Sequence, residues 1–136
     1  MSINDRLTGF SGNSAVKTAC VVATIANVTL SGEQSIDGVD VIAYDRVLVK
    51  DQTTGSENGI YDVSTTAWTR SKDFDGARDI SRGTAVYAFG GDTQDAANWR
   101  ITTDNPITIG ITSITFTLDT VSVTGGDVTG AASSTN

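Results

Sequence analysis

Short β-type runs follow one another from residue 16 to about residue 123, and turn-forming pairs interrupt them before any run reaches helical length. Ala26, Val28 and Leu30 alternate with Asn27 and Thr29, and Arg46-Val47-Leu48-Val49-Lys50 is a compact β-branched run. Thr84-Ala85-Val86-Tyr87-Ala88-Phe89 alternates again, and Asn98-Trp99-Arg100-Ile101-Thr102 sets Trp99 and Ile101 on one face. Between these runs stand Ser31-Gly32, Asp37-Gly38, Asn58-Gly59, Asp75-Gly76, Gly90-Gly91 and Asn105-Pro106. Asn-Gly tolerates the positive φ angles of a tight hairpin, so Asn58-Gly59, before Ile60-Tyr61, is the sharpest of these signals. No window carries a helical apolar stripe with good caps; at most one short helical turn is expected near Asp73–Asp79. The pattern predicts an all-β chain, a single small antiparallel β-sandwich or open barrel.

A change of parity near the end adds a constraint. Ile107, Ile109 and Ile111 share one parity, whereas Ile114, Phe116 and Leu118 share the other. One straight strand cannot turn both sets inward. A bulge or turn at about Thr112-Ser113 resolves the conflict, and the alternative is that one set faces a partner.

Three regions emerge. Residues 1–15 lack periodicity and read as an extended N-terminal arm, residues 16–123 as the β-domain, and residues 124–136 as a low-complexity C-terminal tail. The large apolar members of the alternating runs, Val47, Val49, Tyr61, Trp68, Val86, Trp99 and Phe116, form the predicted core. Ile3, Leu7, Phe10 and Val128 are the main apolar groups of the two extensions, which makes them candidate protein-interface residues.

The chemistry is sparse. A chain of 136 residues supports one modest core, and its low apolar and charged fractions are balanced by Thr, Ser, Asn and Gly. Nine basic residues against sixteen acidic ones give a net charge of -7, unsuited to phosphate backbones. No apolar run is long enough to span a bilayer, and the start at Met1-Ser2-Ile3-Asn4 has no secretory pattern. The sequence has no His, which removes the commonest general base, the Ser-His-Asp triad and the usual zinc ligand. Cys20 is the only cysteine and sits in the apolar run Ala19–Ala23, where an inert buried thiol is expected. Gly90-Gly91-Asp92-Thr93 lacks the lysine of a phosphate-binding loop. Asp73 with Asp75, and Asp92 with Asp95, lie in polar, Gly-rich surroundings that do not favour a raised catalytic pKa. Asp73, Asp75 and Asp79 could offer oxygens to calcium, but Arg78 intrudes and no terminal Glu follows, so a solvated turn is the favoured reading. No catalytic residue, cofactor or metal is expected.

An ordered series of motifs carries a resemblance. Val16-Lys17-Thr18-Ala19, Ala26-Asn27-Val28-Thr29-Leu30-Ser31-Gly32 and Gln34-Ser35-Ile36-Asp37-Gly38-Val39 open it. Asp45-Arg46-Val47-Leu48-Val49-Lys50-Asp51-Gln52, Glu57-Asn58-Gly59-Ile60-Tyr61 and Ala67-Trp68-Thr69-Arg70 continue it, and Gly83–Tyr87, Trp99 and Ile114-Thr115-Phe116 keep similar places. Over residues 16 to 118 the chain resembles a β-rich structural module of tailed-phage tail-fibre and other virion proteins. Cys20 departs from the small or polar residue usual there. The resemblance implies a non-enzymatic virion protein, made in the host cytoplasm and placed on the capsid's outer surface or the tail. A nearly free-standing module with two extensions suits a capsid decoration or cement protein that binds the major capsid protein or other virion subunits. The alternative is a tail-fibre, tail or baseplate component involved in host attachment. A homo-oligomer is expected, with neither nucleic acid nor membrane as partner.

Overall fold

The structure, a computed structural model, describes residues 16–76, 79–94 and 96–119. The expected arm and tail, with Ile3, Leu7, Phe10 and Val128, lie outside the described residues. The chain is strand-rich, and its short strands run β1 (Val16–Ala23), β2 (Gln34–Ile36), β3 (Val39–Val41), β4 (Arg46–Val49) and β5 (Gly59–Asp62). They continue as β6 (Thr69–Arg70), β7 (Ala85–Gly90), β8 (Ala97–Ile101) and β9 (Phe116–Leu118). Single 3-10 turns cover Gly55–Glu57 and Lys72–Phe74, the second at the start of the expected helical turn.

Seven strands form one sheet in the order β9-β8-β7-β1-β4-β5-β6, and β2 pairs with β3 in a separate hairpin. The sheet is mixed, which corrects the antiparallel expectation, and it does not close into a barrel. β1 runs parallel to both its neighbours, matching Val22 to Val47 on one side and Lys17 to Val86 on the other. Parallel neighbours need a long crossover. Residues 24–45 supply it between β1 and β4, and the β2–β3 hairpin lies within that crossover.

Burial of β4 explains its composition. Val47, Leu48 and Val49 are all fully buried although successive side chains point to opposite faces. Val47 and Val49 join Tyr61, Trp68, Ile36 and Val41, so the β2–β3 hairpin packs on that face. Leu48 joins Ile60, Phe74, Trp99, Ile101 and Phe116 on the other. All seven predicted core residues are buried. Cys20 is fully buried as well, and burial pushes its thiol pKa up to about 12, which leaves it protonated and unreactive at neutral pH.

Two local expectations change. Ala26–Leu30 is not a ladder strand, although Val28 and Leu30 pack on the core as their alternation requires. The Gln52 carboxamide takes the place of a neighbouring strand: its Oε1 accepts from Val28 N at 2.9 Å and its Nε2 donates to Val28 O at 3.0 Å. Asn58-Gly59 is not a hairpin turn, since Asn58 follows a 3-10 turn in extended conformation and Gly59 opens β5. Its glycine is needed for space, because a Cβ there would press on Arg70 Nη1 at 2.5 Å and on the Phe74 ring at 3.1 Å. The tight hairpin is instead at Asp37-Gly38, with φ of 47° and 81° between the paired Ile36 and Val39. The isoleucine parity conflict is resolved by a turn at Thr108–Thr112, where Ile111 N and Thr112 N both donate to Thr108 O. Ile107 and Ile114 are buried on either side of it, while Ile111 points outward.

Trp68 stacks obliquely on Tyr61 with ring centroids 6.5 Å apart, and its Nε1 donates to Gly32 O at 2.9 Å. Trp68→Ala removes both contacts and leaves a void, a loss of about 3–5 kcal/mol from a domain stability of about 5–15 kcal/mol. Thermal melting should show the variant largely unfolded near 37 °C, whereas a melting temperature within a few degrees of wild type would place Trp68 outside the core.

Candidate subunit-interaction surface

The connection from β3 to β4 is a rigid knuckle. Asp45 N donates to Ile42 O at 3.0 Å, and Ile42 N donates to the Asp45 carboxylate at 3.0 Å. Ala43 N donates to Glu33 Oε2 at 2.9 Å, Tyr44 N to Val63 O at 2.8 Å, and Val63 N returns a bond to Asp45 O at 2.9 Å. Every backbone N–H from Ile42 to Asp45 is therefore engaged. Tyr44 is held at φ 77°, a left-handed conformation that costs a residue with a Cβ roughly 1–2 kcal/mol. The residue is nevertheless 92% exposed, and neighbouring Ile42 is 57% exposed. Exposed Glu33 and Asp40 belong to the same hairpin region.

The strand and hairpin patterns of the sequence did not single out this feature, although its signal is there. Val39 and Val41 face inward, so strict alternation assigns Asp40, Ile42 and Tyr44 to the outer parity. Two large apolar side chains therefore fall on the polar parity of a strand, a pattern carried by the residue order alone.

At the other end of the hairpin the Asp37-Gly38 turn clamps the loop between β7 and β8. The Asp37 carboxylate accepts from Thr93 Oγ1 at 2.9 Å, from Thr93 N at 3.1 Å and from Gln94 N at 3.1 Å. Asp92 N donates to Asp37 O at 2.8 Å, and a Cβ at Gly38 would run into the Asp92 carboxylate. Desolvation works to raise the Asp37 pKa, but the bonds from Thr93 and Gln94 outweigh it and hold the carboxyl below its ordinary value.

The carboxylates weighed for catalysis or calcium are placed otherwise. Asp73 forms a two-point ion pair with Arg46 at 2.8 and 2.7 Å, tying the Lys72–Phe74 turn to β4. Asp79 Oδ2 accepts from Asp75 N and Gly76 N at 3.0 Å and so shapes its own turn, while Asp75 is exposed. Among the described residues no three His, Cys, Asp or Glu side chains gather as a metal site. Asp95 lies outside the described residues. Burial lowers the Lys17 pKa, against the opposing pull of Asp73 and Asp79.

No family model, curated protein or solved structure matches this chain.

The clamp has a pH signature. A carboxyl whose folded pKa is depressed contributes stability above its unfolded value of about 3.9, and that contribution is lost as pH falls through the lower folded value. In an NMR titration the Thr93 and Gln94 amide resonances should move together with a midpoint below that value, and Asp37→Asn should abolish the movement. A midpoint at or above it would remove the clamp.

Proposed function

We propose that the chain is a non-enzymatic structural subunit of a tailed-phage particle, a decoration or cement protein that binds neighbouring shell subunits on the capsid surface. The ordered motif series supports a virion module, and the net charge of -7 suits an outer position away from packaged nucleic acid. Burial of β4 and β5 on both faces, with the hairpin layered on one of them, supports reading the fold as a small sandwich.

The observation that carries the binding role is Tyr44. A conformational cost held by a backbone whose N–H groups are all engaged, yet ending in an aromatic ring in solvent, is ill explained by stability. Aromatic side chains of this kind act as anchors at interfaces, where the ring packs and the hydroxyl stays hydrogen-bonded. The acidic residues around it fit a partner surface with an apolar pocket and a basic rim.

Tyr44→Gly should leave stability within about 1 kcal/mol of wild type, because glycine accepts the left-handed angle. It should nevertheless lower the copy number retained on purified particles after a heat challenge. Deleting residues 2–13 should likewise leave the β-domain folded by circular dichroism and weaken retention. Full occupancy by both variants would sink the binding assignments, and recovery on isolated tails rather than heads would move the protein to the tail.

Purified protein incubated with host lipopolysaccharide or capsule should release no reducing ends. Sustained turnover would overturn the structural reading.

A further inference from the structure

One margin of the large sheet carries unused hydrogen-bonding capacity of two kinds. Among the described residues β9 pairs only with β8, through Phe116 with Ile101, Thr117 with Arg100 and Leu118 with Trp99. Thr102 N donates to Thr115 O at 3.0 Å and Asp119 N to Asn98 O at 2.9 Å, so the odd-numbered residues turn their backbone groups toward β8. By the alternation of an antiparallel ladder, the N–H and C=O groups of Phe116 and Leu118 face away from the sheet. Nothing among the described strands accepts them.

Beside this margin is a cavity of about 290 Å³ lined by Thr93, Gln94, Ala97, Trp99 and Leu118. Two of the lining residues hold the only buried side-chain polar atoms without a partner among those described, Gln94 Oε1 and Trp99 Nε1. One is an acceptor and the other a donor. Trp99 is only 8% exposed, so its indole N–H cannot turn to bulk water. Neither group sits on a loose support. Lys50 Nζ lies 4.2 Å from the Trp99 ring centroid, and the Gln94 backbone is held by Asp37 at 3.1 Å.

A free strand edge next to a buried donor and a buried acceptor describes a receptor for extended peptide. The edge takes the backbone, and a carboxamide, which carries one acceptor and two donors, satisfies both orphaned atoms. The chain itself contains a segment of this chemistry: residues 1–15 place Asn4 and Asn13 among the apolar Ile3, Leu7 and Phe10. We propose that the β9 edge and the Gln94–Trp99 cavity receive residues 1–15 of a neighbouring copy, with an asparagine side chain between Trp99 Nε1 and Gln94 Oε1. The proposal rests on the subunit-binding reading above and names the acceptor that such an arm would use.

The test is an NMR titration of the isotopically labelled full chain with an unlabelled synthetic peptide of residues 1–15. Trp99→Phe assigns the indole N–H resonance, which is distinct from that of Trp68. Binding should be saturable, shift the Trp99 indole proton downfield as it gains an acceptor, and perturb the Phe116 and Leu118 amides. A peptide carrying Asn4→Ala and Asn13→Ala should bind at least roughly tenfold more weakly, about the worth of one satisfied hydrogen bond. A silent indole resonance, or equal shifts with a scrambled peptide, would overturn the assignment. This outcome is separable from the virion role. A chain recovered on heads whose indole stays silent loses the β9 acceptor alone, whereas a responsive chain absent from particles loses the virion reading and keeps the acceptor.

Discussion

The carboxamide of Asn58 ties together segments that the sheet alone would leave apart. Its Oδ1 accepts from Gln52 N at 2.9 Å, and its Nδ2 donates to Ile114 O at 2.8 Å. Gln52, fixed in this way, lends its own side chain to both backbone groups of Val28. Two buried amides thus connect the crossover after β1, the loop between β4 and β5, and the return into β9. Each replaces ladder bonds that short strands cannot supply, and each would leave several buried groups unpaired if truncated. Tyr61 and Arg70 complete the arrangement, since the Tyr61 hydroxyl donates to Glu57 O at 2.6 Å and Arg70 donates to Asn58 O and Ser56 O.

This polar scaffold explains how so small a chain buries a sheet on both faces. Covering β4 and β5 twice requires irregular segments to lie over them, and irregular backbone cannot be buried unless its N–H and C=O groups are satisfied. Gln52 and Asn58 do this for the 26–30 and 114 segments. Thr24 does it at the end of β1, where its N donates to Leu48 O and its hydroxyl accepts from Lys50 N. The motif residues Lys50, Gln52, Asn58, Gly59, Tyr61, Trp68 and Arg70 are therefore parts of one connected structure rather than separate signals.

Much of the fold was legible for the reason that side-chain alternation is local. The runs Arg46–Lys50, Thr84–Phe89 and Asn98–Thr102, read from strand period and residue type, overlap the strands Arg46–Val49, Ala85–Gly90 and Ala97–Ile101, and all seven core residues are buried. Strand direction was not legible, because a parallel and an antiparallel strand show the same period and β1 gives no local sign of its neighbours. The Ala26–Leu30 run misled because its alternation reports burial, and burial does not require a strand partner when a glutamine side chain supplies the bonds. Asn58-Gly59 misled in the same manner: its residue types fit a hairpin, but the asparagine serves as a buried bridge and the glycine makes room for Arg70 and Phe74. The candidate site was less legible still. The parity of Tyr44 lies in the sequence, but its strain and outward direction belong to the loop geometry, and the Gln94–Trp99 pair depends on contacts between distant parts of the chain.

The placement of satisfied and unsatisfied groups separates the parts that hold the fold from the parts on which the proposed binding rests. Deep in the molecule Asn58, Gln52 and Thr24 are each bonded to named partners, so the chain meets demanding polar burial where stability depends on it. At its periphery the reverse holds. Tyr44 keeps a costly backbone angle and an exposed ring, and among the described residues the β9 edge keeps free backbone groups and Gln94 and Trp99 a buried acceptor and donor without partners. A chain selected for stability alone gains by relieving each of these, through a glycine at 44 or an apolar residue at 94. Under the binding role proposed above a partner would recover these costs, and the elements that carry them, the 42–45 knuckle and the β9 margin, are both hydrogen-bonded to neighbouring segments. Fixed geometry lowers the entropy lost on association. The bonding that lets two amides hold a small core is therefore also compatible with the binding role proposed for the surface.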